Sequence, residues 1–173
     1  VISKNIRVAG DKFNEDIIRF VRDEYKLLLG ERTAENIKIA IGSVYELPEP
    51  LEARARGRDL ITGLPKEIVL DDSEIRRALR HSIPTIINAV KGAVEETPPE
   101  LIADIMQRGI VLVGGGGLLR GLDRLLQEET KIFVHIAEDP LTAVVRGTGI
   151  ILEDLDSLKG VLVGIEREKS PIV

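Results

Sequence analysis

Four consecutive glycines, Gly114 to Gly117, follow the apolar run Val111-Leu-Val113 and lead into leucines at helical spacing. A strand, a glycine loop and a helix in that order place unpaired backbone N–H groups at a helix N-terminus with room for close approach. That geometry suits a phosphate, or the sugar and base edge of a nucleotide. A tight strand-to-helix turn packed against a neighbour would use glycine equally well, so the run alone leaves both readings open. The named phosphate motifs do not match. A P-loop needs Lys-Ser/Thr after its last glycine, where this chain has Leu118 and Leu119. A dinucleotide fingerprint begun at Gly114 needs Gly or Ala at the place of Leu119.

Glu35 and Lys38 lie three apart, on one side of a predicted short helix. A carboxylate can accept hydrogen bonds from ribose hydroxyls, and a lysine stem can lie along an adenine face. A surface ion pair worth a few tenths of a kcal/mol is the competing account. Arg54, Arg56 and Arg58 read as the solvated face of an edge strand, kept from further pairing by charge. The chain has no cysteine and only two histidines, His81 and His135, far apart in sequence. No disulfide, thiolate chemistry or metal site is expected, and no catalytic residue.

The elements that would hold these groups follow from periodicity. Residues 1–8 suit a strand ending at Ala9-Gly10. Phe13, Ile17, Phe20, Val21 and Leu28 predict an amphipathic helix over 11–29, with Gly30 in the left-handed position past its end. Thr33 is the expected cap of a second helix over 34–41, closed by Gly42. After a loop over 43–50, alternation predicts a half-exposed strand over 51–58, a turn at 62–65 and a returning strand over 66–70. Ser73 is the expected cap of a helix over 74–80, and Ser82-Ile-Pro84 opens a longer one. Thr97-Pro-Pro99 ends that helix and starts another, which stops near Arg108-Gly109. A buried strand over 110–113, the glycines, a helix over 118–127, a strand over 132–136 and a helix from Asp139-Pro140 to about 155 complete the series. Strands alternating with helices predict an α/β fold in which the hairpin region is an inserted subdomain.

At 173 residues, folding should bury roughly 70% of the unfolded chain's surface. With 43% hydrophobic but only 3% aromatic residues, Leu, Ile and Val must build the core. A net charge of -5 without a basic run argues against a nucleic-acid binder. No apolar stretch reaches the ~18 residues of a membrane span. The chain starts at Val1 inside a strand-like segment and reads as the continuation of something upstream.

Several stretches together resemble the MreB family of bacterial actin homologues. They are IRVAGDK at 6–12, GERTAENIK at 30–38, GRDLITGLP at 57–65, TPPEL at 97–101, RGIVLVGGGGLLRGLD at 108–123 and EDPLTA at 138–143. The resemblance runs to about residue 156. It implies the second lobe of an actin-like (ribonuclease H-like) ATPase, with a larger subdomain of 1–30 and 81–156 and a small α+β subdomain inserted at 31–80. It assigns Gly114, Gly115 and Gly116 to an adenosine loop, Glu35 and Lys38 to the ribose and adenine edge, and Gly10, beside Asp11, to the ribose. Gly117 stands where relatives usually carry a small side chain, which should loosen the turn. Residues 157–173 match nothing in the family and read as a strand, a packed terminus or a loose tail.

The same resemblance implies ATP with Mg²⁺ as cofactor, held between two lobes. The phosphate loops, the metal-associated aspartate and the membrane-binding element would belong to the other lobe, so this chain alone should not hydrolyse ATP. The implied partners are further copies in a head-to-tail filament and cell-shape and wall-synthesis proteins of the inner membrane, at its cytoplasmic side. A sugar kinase or chaperone of the same superfamily is the rival, weakened by the lack of a substrate-binding insertion. A free-standing interaction module is a third reading.

Overall fold

Apolar residues spaced i, i+4 and i+8 fix the first helix. In the computed structural model, which describes residues 2–155, α1 (Gly10–Tyr25) buries Phe13, Ile17 and Val21. The helix ends earlier than its periodicity predicts. Lys26, not Gly30, takes the left-handed conformation, at φ 52°, and its N–H returns to the Arg22 carbonyl at 3.2 Å. The chain then extends as β1 (Leu27–Leu28), so Leu28 belongs to a sheet and not to the helix.

Gly30 caps the next helix, α2 (Glu31–Ile41), with φ −79°, and its carbonyl accepts from Thr33 and Ala34 at 3.0 and 3.1 Å. Thr33 therefore lies inside the first turn it was expected to cap. Ala34, Ile37 and Ile41 form the buried stripe, and the N–H of Gly42 closes the helix on the Lys38 carbonyl at 2.8 Å.

The hairpin forms as β2 (Glu52–Asp59) and β3 (Pro65–Asp71), antiparallel from Glu52↔Asp71 to Arg58↔Pro65. Gly63 supplies the positive φ of the turn, 74°. The sheet order is β1-β2-β3, so the arginine strand is central and not an edge. Its arginines still face solvent, and Glu67 of β3 pairs with Arg54 at 3.2 Å and Arg56 at 2.5 Å. Pairs this exposed contribute little, about 0–1 kcal/mol.

Helix α3 (Asp72–Leu79) is capped by Asp71, not Ser73. The Asp71 carboxylate accepts from the Glu74 N–H at 2.9 Å while the Glu74 carboxylate accepts from the Asp71 N–H at 3.1 Å. Ser73 supports this capping box by donating to Asp71 at 2.6 Å.

Helices α4 (Ile83–Glu95) and α5 (Pro99–Arg108) follow, both with proline in the first turn. Strand β4 (Ile110–Leu112) pairs in parallel with β5 (Val134–Ile136), with Val111 opposite His135. Between them lie a 3₁₀ turn (Gly115–Leu118) and α6 (Leu122–Thr130); α7 (Ala143–Glu153) comes last. Strand β4 was expected to be buried, yet Val111 is exposed, because the pair is covered on one side only. The helix expected from 118 begins at Leu122, because Gly121 sits in the left-handed region at φ 80° and resets the chain. Residues 2–9 form no strand; the described residues offer them no neighbouring strand. The predicted tail, 157–173, lies outside the described residues.

One core joins α1, α2, α3, the hairpin sheet and α6, with Ile17, Leu27, Ile41, Leu70, Ile75, Leu79 and Leu126 fully enclosed. Helix α1 packs its stripe on α2 and α3.

The hairpin turn carries a pH signature. Asp59 accepts from the N–H groups of Ile61 and Thr62 at 2.8 and 2.9 Å and pairs with Lys66 at 3.1 Å. The Thr62 and Ile61 amides and then Lys66 lower its carboxyl to about 2. A depressed carboxyl stabilises the fold above the pKa of the unfolded chain, and that contribution is lost as pH falls through the folded value. Asp59→Asn should therefore lower stability at pH 7 and flatten the loss between about pH 4 and pH 2. Urea unfolding at pH 7, 4 and 2.5 checks this; equal pH slopes in both proteins would refute it.

Candidate functional site

The buried stripe of α2 leaves Glu35, Lys38 and Ile39 on the helix face turned toward the N-terminus of α1. Across from them runs the loop after β4. Between these walls lies a cleft of about 540 Å³, lined by Gly10, Asp11, Glu35, Lys38, Gly115 and Gly116 together with apolar side chains. Five of the six residues singled out in the sequence thus converge on one cavity. The sixth, Gly114, does not line it.

The four glycines separate by physical cause. Gly114 holds φ 78°, ψ 175°, a conformation that side chains disfavour, and donates its N–H to the Pro140 carbonyl at 2.6 Å. Gly117 is buried, and a Cβ there would lie 3.2 Å from Cβ of Leu112. Close packing on β4 accounts for it. Gly115 and Gly116 answer to neither cause. A Cβ at Gly115 would meet only Leu141 at 3.7 Å, and one at Gly116 would meet nothing within 4 Å. The fold does not ask for glycine at these two positions, and both open onto the cleft.

The opposite wall is a hydrogen-bonded set. Lys38 Nζ donates to Glu35 Oε2 at 2.6 Å and to the Gly10 carbonyl at 3.1 Å, and Asn14 Nδ2 donates to the same Glu35 Oε2 at 2.7 Å. The Lys38 ammonium first, then the Asn14 amide, hold the Glu35 carboxyl below its usual range. The Lys38 side chain is only 13% exposed, against 41% for Glu35. A lysine so far withdrawn and tied to a backbone carbonyl on another helix is no ordinary surface i,i+3 pair. Gly10 is in close contact too, since a Cβ there would lie 3.1 Å from Lys38 Nζ.

Several lining residues were not found from the sequence. Leu118 was expected to face inward but is 49% exposed and lines the cleft, and Leu141 is also exposed there. Ile39 had a legible signal, an isoleucine off the buried stripe of α2. Apolar walls beside two carboxylates, one ammonium and a side-chain-free loop suit a nucleoside. Among the described residues, Asp11 and Glu35 are the only carboxylates lining the cleft, and no group of three His, Cys, Asp or Glu is placed to hold a metal. The residues present therefore fit the nucleoside end of a nucleotide but not a Mg²⁺–phosphate site. Among the described residues lining the cleft, no nucleophile is paired with a base.

A family model described as MreB/Mbl protein matches residues 1–160. The chain is 50% identical over 158 residues to the cell shape-determining protein Mbl of Bacillus cereus, covering 91% of this chain and 47% of that protein. It is 51% identical over 166 residues to the cell shape-determining protein MreB of Escherichia coli strain K12, covering 96% and 48%. The chain thus spans about half the length of the curated relatives it matches. Among solved structures, MreB5 of Spiroplasma citri bound to AMPPNP superposes with a TM-score of 0.86 at 37% identity, covering 94% of this chain and 49% of that one. The MamK double helical filament, at a TM-score of 0.73 and 22% identity over 86% of this chain and 46% of that one, shares the fold.

The division of the glycines is directly testable by denaturant unfolding. Gly116→Ala should leave stability unchanged or raise it by up to about 1 kcal/mol, because a methyl group meets nothing and the unfolded chain loses freedom. Gly114→Ala should cost about 1 kcal/mol or more through its backbone conformation. Equal losses in the two variants would contradict the assignment.

Proposed function

Because the chain belongs to the MreB/Mbl family of actin-like proteins, we propose that it is the C-terminal lobe of a bacterial cytoskeletal ATPase and that its cleft holds the nucleoside end of ATP. The observation that carries this reading is the pair of open glycines. Gly115 and Gly116 have no structural reason to lack side chains, and they face Glu35 and Lys38 across a cavity of nucleoside character. Glu35 takes the ribose hydroxyls, the Lys38 stem lies along the base, and the loop after β4 passes close to the ribose and α-phosphate. The Spiroplasma relative captured with AMPPNP, and again with ADP, supports a nucleotide as the occupant.

In this reading the chemistry of the γ-phosphate and its Mg²⁺ belongs to the other lobe, because hydrolysis depends on charge positioned around that phosphate. The chain supplies binding and orientation. Two subdomains flank the cleft. The packing of α1 on α2 and α3 supports beginning the small one at Gly10, where the family resemblance implies a start at 31. Copies of the whole protein assemble head to tail, the arrangement that generates filaments. They direct cell shape, in keeping with the names of the relatives, and do so at the cytoplasmic side of the inner membrane by guiding wall synthesis. Among the described residues no helix is long and apolar enough to cross a membrane.

Calorimetric titration of the full-length protein with AMPPNP tests the site. Glu35→Ala and Lys38→Ala should each weaken binding about tenfold or more, with the thermal midpoint of the nucleotide-free protein shifted by only a few degrees. Unchanged affinity in both variants would reduce the pair to a structural contact. Residues 1–173 expressed alone should fold and bind AMPPNP more weakly than the micromolar range, one wall of the nucleotide site being present.

A further inference from the structure

Resting on the nucleotide reading of this cleft, we infer that Asn14 is a positioning residue that orients Glu35 toward the ligand. Asn14 is 4% exposed on α1, and its amide reaches across to α2 to donate to Glu35 Oε2 at 2.7 Å. Lys38 donates to that same oxygen at 2.6 Å. Two donors from two helices thus occupy Oε2 and fix the carboxylate plane, and Oε1 has no protein partner in the structure. Among the described residues one oxygen is anchored and the other is left as a single, oriented acceptor at the wall of the cleft. Lys38 is itself tied to the Gly10 carbonyl of α1, but a single donor would leave the carboxylate free to turn about that one contact, and the Asn14 amide removes this freedom.

Asn14 also carries a cost that a purely structural role does not explain. Its Oδ1 is buried without a hydrogen-bond partner, an arrangement that disfavours the folded state. An apolar side chain of similar size would avoid that cost, and Glu35, 41% exposed, would be solvated without the amide. The amide is thus better explained by what its N–H donors do for Glu35.

The charged groups around this pair are few. Lys38 and Glu31 stand on α2, and Asp11 on α1 lines the same cleft. Lys12 is engaged by Glu15 and Asp16, each at 3.1 Å, and Asp16 also accepts from Ser82. The glycine loop and Leu141 bring no titratable side chain.

Titration of the full-length protein with AMPPNP at pH 5.5 and pH 8, with thermal midpoints recorded, tests the inference. The natural protein should bind with affinities within about twofold at the two values. Asn14→Leu should keep or raise the midpoint yet lose about tenfold in affinity at both. Asn14→Asp places a second carboxylate against Glu35, so it should lose as much at pH 8. It should regain affinity at pH 5.5, where a shared proton restores a donor. If both variants bind like the natural protein while Glu35→Ala does not, Asn14 has no positioning role. If Asn14→Asp is weak to the same degree at both pH values, the loss is structural and the inference is overturned. Should Asn14→Leu fail to fold, the pH response of Asn14→Asp decides alone. If Glu35→Ala also binds normally, the nucleotide reading itself fails.

Discussion

The burial of one stripe of α1 is the constraint on which the site depends. Phe13, Ile17 and Val21 are at most 2% exposed, each contributing about 1.5–3 kcal/mol by leaving water. They can be buried together only if α1 lies in the angle between α2 and α3. That placement sets the rotation of the helix about its own axis, and the rotation brings Gly10 and Asn14 against Glu35 and Lys38. The polar wall of the cleft is thus a by-product of apolar packing. Its three hydrogen bonds set the orientation of side chains that the core has already brought within reach.

The local elements were largely legible because their signals are local. The 3.6-residue stripes of α1 and α2, the alternation of β2 and the prolines opening α4 and α5 all act within a few residues of chain. The boundaries were less so, because several residues compete for the same role. Lys26 took the left-handed position that composition would give to Gly30, since pairing of Leu27 and Leu28 with β2 needed the chain extended there. Asp71 displaced Ser73 as a cap because Glu74 could complete a reciprocal pair with it. Of the strand expected over 1–8, residues 2–8 have no partner strand among the described residues, and a strand exists only by pairing.

The site divides along the same line. Glycines, a carboxylate and a lysine are conspicuous in a sequence, and the family resemblance gave them a common purpose before any distance was known. Asn14 was invisible, an amide inside an amphipathic pattern whose partner is 21 residues away and on another helix. Leu118 misled, because a leucine after glycines fits a helix that starts at once. The left-handed Gly121 delays that helix and leaves Leu118 facing the cleft.

The unequal glycines have a consequence for how this loop can vary over evolutionary time. At Gly114 and Gly117 the backbone and β4 penalise a side chain whatever the cleft holds. At Gly115 and Gly116 the packing leaves room for a side chain, so any intolerance to substitution there has a cause other than the packing of this chain, which under the proposed function is the ligand. On that proposal, selection for a stable chain and selection for a ligand act on separate positions within four consecutive codons. A lineage that abandoned its ligand while keeping its fold would be free to drift at the middle two and nowhere else in the run.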